Sequence, residues 1–269
     1  MFDWFLELNP VSQALFALIL AWFTTTAGAA SVFFLKTFNQ KVMDGMLGFA
    51  GGIMIAASFW SLLEPSLEMS EGGSMPVWLP SLIGFLVGGI CLKGVDFFLP
   101  GLYDRFIGKR PVNSESFRRS TMLVSAITLH NIPEALAVGV AFGAVASGVE
   151  GATIGGALAL TIAISIQNVP EGMAVSFPLR REGISRFWSF FWGQFSAIVF
   201  PLAGIAGAFL VLAVQPALPY ALSFAAGAMI FVVIDEIIPE AQSHGNRKIA
   251  TTGGMIGFAF MMVLDVGLE

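Results

Sequence analysis

The stretch AITLHNIPEALAVGVAFG, residues 126–143, places a histidine, a proline and a glutamate in the middle of an apolar run. A second stretch, AISIQNVPEGMAVSFPL, residues 163–179, repeats the pattern with a glutamine in place of the histidine. Ionisable residues at membrane depth cost about 2.5–3.5 kcal/mol each on insertion scales, so they are kept where they serve a function. Proline removes a backbone donor and clashes with the preceding turn, so each helix should kink there. The two stretches therefore predict a pair of kinked membrane helices that carry a polar site.

The composition of the whole chain is that of a membrane protein. The 269 residues are 56% hydrophobic and 12% charged, whereas a soluble domain carries about 25% charged residues. A helix needs about 20 apolar residues to cross the bilayer, and eight such segments are present. They are residues 11–35, 44–64, 77–99, 120–145, 152–178, 187–212, 217–239 and 250–267. We therefore predict one all-α, multi-pass domain over residues 1–269 in the cell membrane, which is the cytoplasmic membrane if the protein is bacterial. The lipid bilayer is an expected partner, and nucleic acid is not.

The positive charges predict how this bundle is oriented. Twelve of the 13 Lys and Arg residues fall on alternate loops, and only Lys93 lies within a span. The twelve are Lys36, Lys41, Arg105, Lys109, Arg110, Arg118, Arg119, Arg180, Arg181, Arg186, Arg247 and Lys248. The opposite loops carry acidic residues instead: Glu64, Glu68, Glu71 and Glu150. Because Lys and Arg are retained on the cytoplasmic side, both termini are expected outside.

Two pairs of similar segments predict an internal symmetry. LGFAGGIMI (47–55) in the second span resembles LSFAAGAMI (222–230) in the seventh, which runs in the opposite direction. LHNIPEALAV (129–138) and IQNVPEGMAV (166–175) form a second pair, again in antiparallel spans. Inverted repeats of this kind place substrate sites near the bilayer midplane. The expected arrangement is 3+2+3, with spans one to three related to spans six to eight and spans four and five as a central pair.

The polar residues of the two motifs have the chemistry of a divalent-metal site. His130 and Glu134 share one helix face, as do Gln167 and Glu171, because residues four apart on a helix are neighbours. Imidazole and carboxylate ligands suit Zn²⁺, and the same mixture admits Fe²⁺, Mn²⁺ or Co²⁺. Oxygen ligands with a single nitrogen also suit an ion that must bind and then leave.

Two other classes of protein remain to be weighed. An intramembrane metalloprotease would use a His-Glu-x-x-His motif, which this chain lacks. A carboxylate-based carrier for protons, sodium or a small solute would need Glu134 and Glu171 but not His130. Zinc binding that depends on His130 separates that carrier from a metal transporter.

At these residues the chain resembles the ZIP (Zrt/Irt-like protein) family of divalent-metal importers, especially its GufA-like prokaryotic branch. The family hallmark HNxPEG stands here as HNIPEA (130–135), and its partner in the next span stands as QNVPEG (167–172). Further resemblances are GFAGGIMIAAS (48–58), DEIIPE (235–240) and MMVLD (261–265), so that essentially the whole chain is covered.

The resemblance implies a carrier rather than an enzyme, with Zn²⁺ (or Fe²⁺, Mn²⁺, Co²⁺, Cd²⁺) as the transported substrate and no cofactor. It implies that His130, Glu134, Gln167 and Glu171 hold the primary metal, with Met54 as a fifth contact. It assigns Asn131 and Asn168 to an adjacent second position, and Asp235, Glu236 and Asp265 to the cytoplasmic exit. It also implies that spans one, four, five and six slide as a unit against the others, and it suggests a homodimer.

The chain departs from the family pattern at several positions. Relatives with two metals often carry an aspartate where Asn168 stands and a glutamate in span six, where this chain offers Ser196. The second position therefore lacks two carboxylates. Ala135 replaces the usual glycine, and Asp235 replaces a histidine of close relatives.

Overall fold

The structure is a computed structural model that describes residues 3–35, 39–71, 75–106, 115–148, 152–181, 183–213 and 217–268. Within these ranges the chain is helical and contains no strand. The helices are α1 (Asp3–Leu6), α2 (Pro10–Phe34), α3 (Gln40–Ala57), α4 (Glu64–Glu68), α5 (Trp78–Phe106), α6 (Glu115–Ala146), α7 (Ile154–Arg181), α8 (Arg186–Phe195), α9 (Val199–Ala213), α10 (Leu218–Val232), α11 (Ile238–Gln242) and α12 (Arg247–Leu268). The π-helical turns Ser58–Leu63 and Val233–Ile237 join α3 to α4 and α10 to α11. The prediction of an all-α membrane protein is confirmed.

Six helical segments in the described ranges are long and apolar enough to cross a membrane. They are Val11–Phe34, Gln40–Glu68, Ile154–Arg181, Arg186–Phe209, Leu218–Gln242 and Arg247–Gly267. The two other predicted spans, 77–99 and 120–145, fall on the long helices α5 and α6, in which the described residues include the apolar stretches Trp78–Gly94 and Asn131–Ala146. The predicted span 187–212 is interrupted, because α8 ends at Phe195 and α9 begins at Val199.

Local sequence explains where several helices begin. Asn9 precedes α2 and its side-chain oxygen accepts a hydrogen bond from the Ser12 amide at 2.9 Å, with Pro10 as the first helical residue. Asn39 caps α3 in the same way through the Lys41 amide. These caps satisfy amide groups that have no partner inside the helix. These two caps fix where α2 and α3 begin.

The helices pack as four parallel pairs: α2 with α7, α3 with α12, α5 with α10, and α6 with α9. In each pair a glycine lies against the partner's backbone. A Cβ atom built on Gly52 would lie 2.0 Å from the Gly254 carbonyl oxygen, and one on Gly139 would lie 1.9 Å from the Gly204 oxygen. Small residues allow membrane helices to approach this closely, and van der Waals packing then drives their association. Glycine at these positions is therefore required by the packing.

Candidate metal centre

The polar residues of the two motifs are buried in the middle of the bundle. Asn131 and Glu134 project from α6, and Gln167, Asn168 and Glu171 project from α7; each is at most 2% exposed. His130 precedes Asn131 in α6, but its side chain lies outside the described part of the structure. Both helices continue through their motif prolines, Pro133 and Pro170.

The two motif asparagines are held in matching ways. The Asn131 Nδ2 donates to the Ser196 carbonyl oxygen at 3.0 Å, and the Asn168 Nδ2 donates to the Ala21 carbonyl oxygen at 3.1 Å. Ser196 lies in the turn between α8 and α9, where helix geometry is broken. Each hydrogen bond anchors the amide nitrogen to a neighbouring backbone. The Oδ1 atom of each asparagine is buried without a hydrogen-bond partner among the described residues.

A direct contact joins the two motifs. The Gln167 Nε2 donates to Glu134 Oε1 at 2.5 Å, so α6 and α7 meet at their polar residues. The Gln167 Oε1 is also buried and lacks a donor in the described part of the chain. Glu171 lies one turn further along α7, on the same face as Gln167.

The donor set suits a cation. Three buried amide oxygens, those of Asn131, Gln167 and Asn168, have no hydrogen to accept in the described structure, and two buried carboxylates lie on the same helices. An unsatisfied buried acceptor costs about 1–3 kcal/mol, and a dehydrated cation would remove that cost. Among the described side chains, which leave out that of His130, no three Asp, Glu, His or Cys residues cluster in metal-binding geometry. The site therefore depends on amide oxygens to a large extent.

The sequence did not reveal what anchors the asparagines. The acceptors are the backbone carbonyls of Ala21 and Ser196, and no side-chain motif marks either of them. A further buried polar atom, the Ser165 hydroxyl, lies one turn before Asn168 and has no partner among the described residues. The only signal for it in the sequence is one serine in an apolar run.

The remaining predicted site residues lie in different places. Met54 is fully buried in α3, within the main hydrophobic core. Asp235 and Glu236 lie on the π-helical turn after α10, where Asp235 is exposed and Glu236 is half-buried.

Asp265 does not lie with Asp235 and Glu236. Its Oδ1 accepts a hydrogen bond from the Ser61 hydroxyl at 2.8 Å, and it lines a small cavity near the last turns of α3 and α6. The turn that carries Asp235 packs instead near Gly51 of α3. Ten helical residues, or about 15 Å, separate the levels of Gly51 and Ser61. The resemblance assigns all three residues to one exit, whereas Asp265 lies about 15 Å along the bundle from the turn that carries Asp235 and Glu236.

Comparison with known proteins agrees with the motifs. Residues 108–265 match the family model for the ZIP zinc transporter. The chain is 40% identical to the zinc transporter ZIP11 of Bos taurus, over 97% of this chain and 98% of the relative. It is 38% identical to the zinc transporter ZIPB of Bordetella bronchiseptica, over 91% of this chain and 77% of the relative. It is 31% identical to the zinc transporter GufA of Myxococcus xanthus, over 96% of this chain and the whole of the relative. The buried motif pair and these relatives together confirm the predicted family: the chain belongs to the ZIP zinc transporter family.

Proposed function

We propose that this protein carries zinc, or a similar divalent cation, across the membrane into the cytoplasm through the buried site on α6 and α7. The observation that carries the proposal is the set of three buried amide oxygens left without donors beside two buried carboxylates. The names of the relatives, all zinc transporters, agree with that substrate.

The primary metal would be held by His130, Glu134, Gln167 and Glu171, with Met54 as a further contact. Gln167 would have to present its Oε1 to the ion, while its Nε2 keeps the hydrogen bond to Glu134. Asn131 and Asn168 are anchored by their nitrogens, so their oxygens stay in place when an ion enters or leaves. The asparagine oxygens would thus be the fixed ligands, and the Gln167 oxygen an adjustable one, that replace the water the ion loses.

An eight-span, 3+2+3 inverted repeat is supported by contacts that recur at a fixed distance along the chain. The asparagine acceptors Ala21 and Ser196 lie 175 positions apart. The π-helical turns begin at Ser58 and Val233, also 175 apart, and each ends two residues before a proline. Proline removes a backbone donor, which favours such a widened turn.

Glycine contacts repeat under the same relation. Gly52 and Gly227, 175 apart, each face a backbone carbonyl oxygen at 2.0 Å, from Gly254 and Phe85 respectively. The partner helices α5 and α12 also contribute one glycine each to this packing. Gly88 of α5 faces the Phe224 carbonyl of α10, and Gly257 of α12 faces the Phe49 carbonyl of α3. Phe49 and Phe224 are again 175 apart. Equivalent backbone contacts in both halves are what an inverted repeat requires.

The close packing supports two bodies that move relative to each other. Of the glycines whose surroundings the structure describes, every one with a Cβ contact closer than 3.4 Å in another helix meets a helix of its own group. One group contains α2, α6, α7, α8 and α9, and the other contains α3, α5, α10, α11 and α12. Interlocked backbones cannot slide easily, so a displacement would occur between the groups. Apart from Met54, the proposed ligands of the primary metal lie in the first group and would move as a unit.

Zinc uptake into proteoliposomes tests the proposal. Glu171→Ala and His130→Ala are expected to abolish uptake, whereas Glu240→Ala, a change at an exposed glutamate of α11, leaves it near wild type. All variants are compared at equal reconstituted protein. Normal uptake by the first two variants would refute the site. Loss of uptake only in Glu171→Ala would show that zinc is transported without His130, and no zinc uptake by the wild type would favour the carboxylate-based carrier instead.

A further inference from the structure

A second polar cluster lies at the opposite end of the bundle from Asp265, where the cationic residues gather. It joins the beginning of α3, the end of α7 and the turn that precedes α12. We call it the inner cluster. Its members are Gln40, Asp44, Arg181, Ser243, His244 and Asn246.

Asp44 is the centre of the inner cluster and is fully buried. Its Oδ1 accepts a hydrogen bond from Gln40 Nε2 at 2.7 Å, and its Oδ2 accepts one from Asn246 Nδ2 at 2.8 Å. His244 Nδ1 lies 3.2 Å from Asp44 Oδ1, and the histidine side chain is 35% exposed. Asp44 is thus a buried carboxylate next to an imidazole that is partly exposed to solvent.

A single amide nitrogen lies between two groups that can donate an electron pair. Gln40 Nε2 is 2.7 Å from Asp44 Oδ1 and 3.2 Å from His244 Nδ1. Arg181 Nη2 donates to Gln40 Oε1 at 2.8 Å, which turns the nitrogen toward the other two groups. A carboxylate oxygen and an unprotonated imidazole nitrogen repel each other at this distance unless a hydrogen or a cation lies between them.

The spacing of these two groups matches the coordination of a metal ion. Ligands that each lie about 2.0–2.1 Å from a tetrahedral zinc ion are about 3.3 Å apart. The separation of Asp44 Oδ1 and His244 Nδ1 is 3.2 Å. The Ser243 hydroxyl, 2.9 Å from His244 Nδ1, is a further oxygen at the same place. The exposed side of His244 gives an ion a way in from solvent.

We propose that Asp44 and His244 form a second divalent-cation site, in which the ion takes the place of the Gln40 amide nitrogen. Two protein ligands leave the other coordination positions to water, so this site binds more weakly than one with four protein ligands. The positive charge of Arg181, which donates to Gln40, weakens it further. Such a site binds an ion briefly and releases it to solvent. The inference stands apart from the proposed transport site, with which it shares no residue.

The chain has only two histidines, so magnetic resonance of ring-¹⁵N-labelled histidine reports each site separately. Zinc is titrated into the purified full chain, and the signal missing from His244→Gln is assigned to His244. We expect both signals to shift, that of His244 at the higher zinc concentration, and we expect His244→Gln to bind one zinc ion fewer. A His244 signal that moves with pH but not with zinc would mean an ion pair with Asp44, and the proposal would be wrong.

Gln40→Ala distinguishes a built site from a lone surface histidine. Without the competing amide nitrogen, the His244 signal should shift at about 2- to 10-fold lower zinc, because one hydrogen bond no longer has to be displaced. The same zinc dependence as in wild type would overturn the proposal. If the His244 signal responds and the His130 signal does not, the inner cluster binds metal and the proposed transport site is the one that fails.

Discussion

In the two motif helices, α6 and α7, the asparagines make equivalent hydrogen bonds, whereas the residues beside them differ. Asn131 and Asn168 each donate to the backbone carbonyl of a neighbouring segment and leave an oxygen free of hydrogen bonds within the described structure. Next to them, His130 in one helix corresponds to Gln167 in the other. One turn further on, Ala135 corresponds to Gly172.

This difference separates two roles within one repeated pattern. The asparagines, which hold the backbones of neighbouring segments, and the glutamates are the same in both copies. Among the proposed ligands of the primary metal on these two helices, only the first motif position differs, with His130 in one helix and Gln167 in the other. The predictions below test which positions belong to which role.

The largest effect is expected at the glutamates, which should be equally necessary in both helices. Glu134→Gln and Glu171→Gln each remove one negative charge from a buried site and leave the cation undercompensated. Losing one partner of a buried charge pair costs about 3–5 kcal/mol, so zinc affinity should fall by at least about 100-fold. Calorimetric zinc titration of the purified variants measures this. A tenfold larger loss in one variant than in the other would show that the helices share the ion unequally.

Gly172→Ala should destabilise the protein more than Ala135→Gly. A Cβ on Gly172 would lie 2.2 Å from the Thr25 carbonyl oxygen, so Gly172→Ala forces α2 and α7 apart and should cost about 1–3 kcal/mol. Ala135→Gly removes a methyl group from a helix and should cost about 1 kcal/mol or less. Thermal unfolding of both variants in detergent, without added metal, compares them. Equal destabilisation would contradict the packing difference between the two helices.

Asn131→Ala and Asn168→Ala should have matching, moderate effects. Each loses one hydrogen bond to a buried carbonyl, worth about 1 kcal/mol in stability, and one oxygen near the ion. The measurement is the unfolding temperature of each variant with and without saturating zinc. If zinc raises the unfolding temperature of Asn168→Ala as much as that of wild type, and that of Asn131→Ala less, only Asn131 contributes to metal binding.

The sequence predicted the family, the helical class and the polar centre, because the histidine, glutamate and proline pattern is unusual inside apolar helices. It could not predict that Ala21 and Ser196 anchor the asparagines, since backbone carbonyls carry no sequence signal. The inner cluster was missed for a similar reason. Gln40 and Asp44 lie about 200 residues from His244, and no local pattern connects positions so far apart. Asp265 was grouped with Asp235 by motif alone, whereas its contact with Ser61 depends on helix direction.

Gln167→His makes the ligand sets of the two helices alike and should have the smallest effect. A histidine there can still donate to Glu134 and offers a second imidazole nitrogen, a ligand that zinc prefers to an amide oxygen. Zinc affinity should therefore rise by about 10-fold or less, and transport should slow at saturating zinc because the ion leaves less readily. Affinity from titration and uptake rate from proteoliposomes are measured on the same preparation. Faster uptake together with tighter binding would mean that release of the ion from Gln167 does not limit transport. The Gln167 amide would then serve the structure of α7 and not the release of the ion.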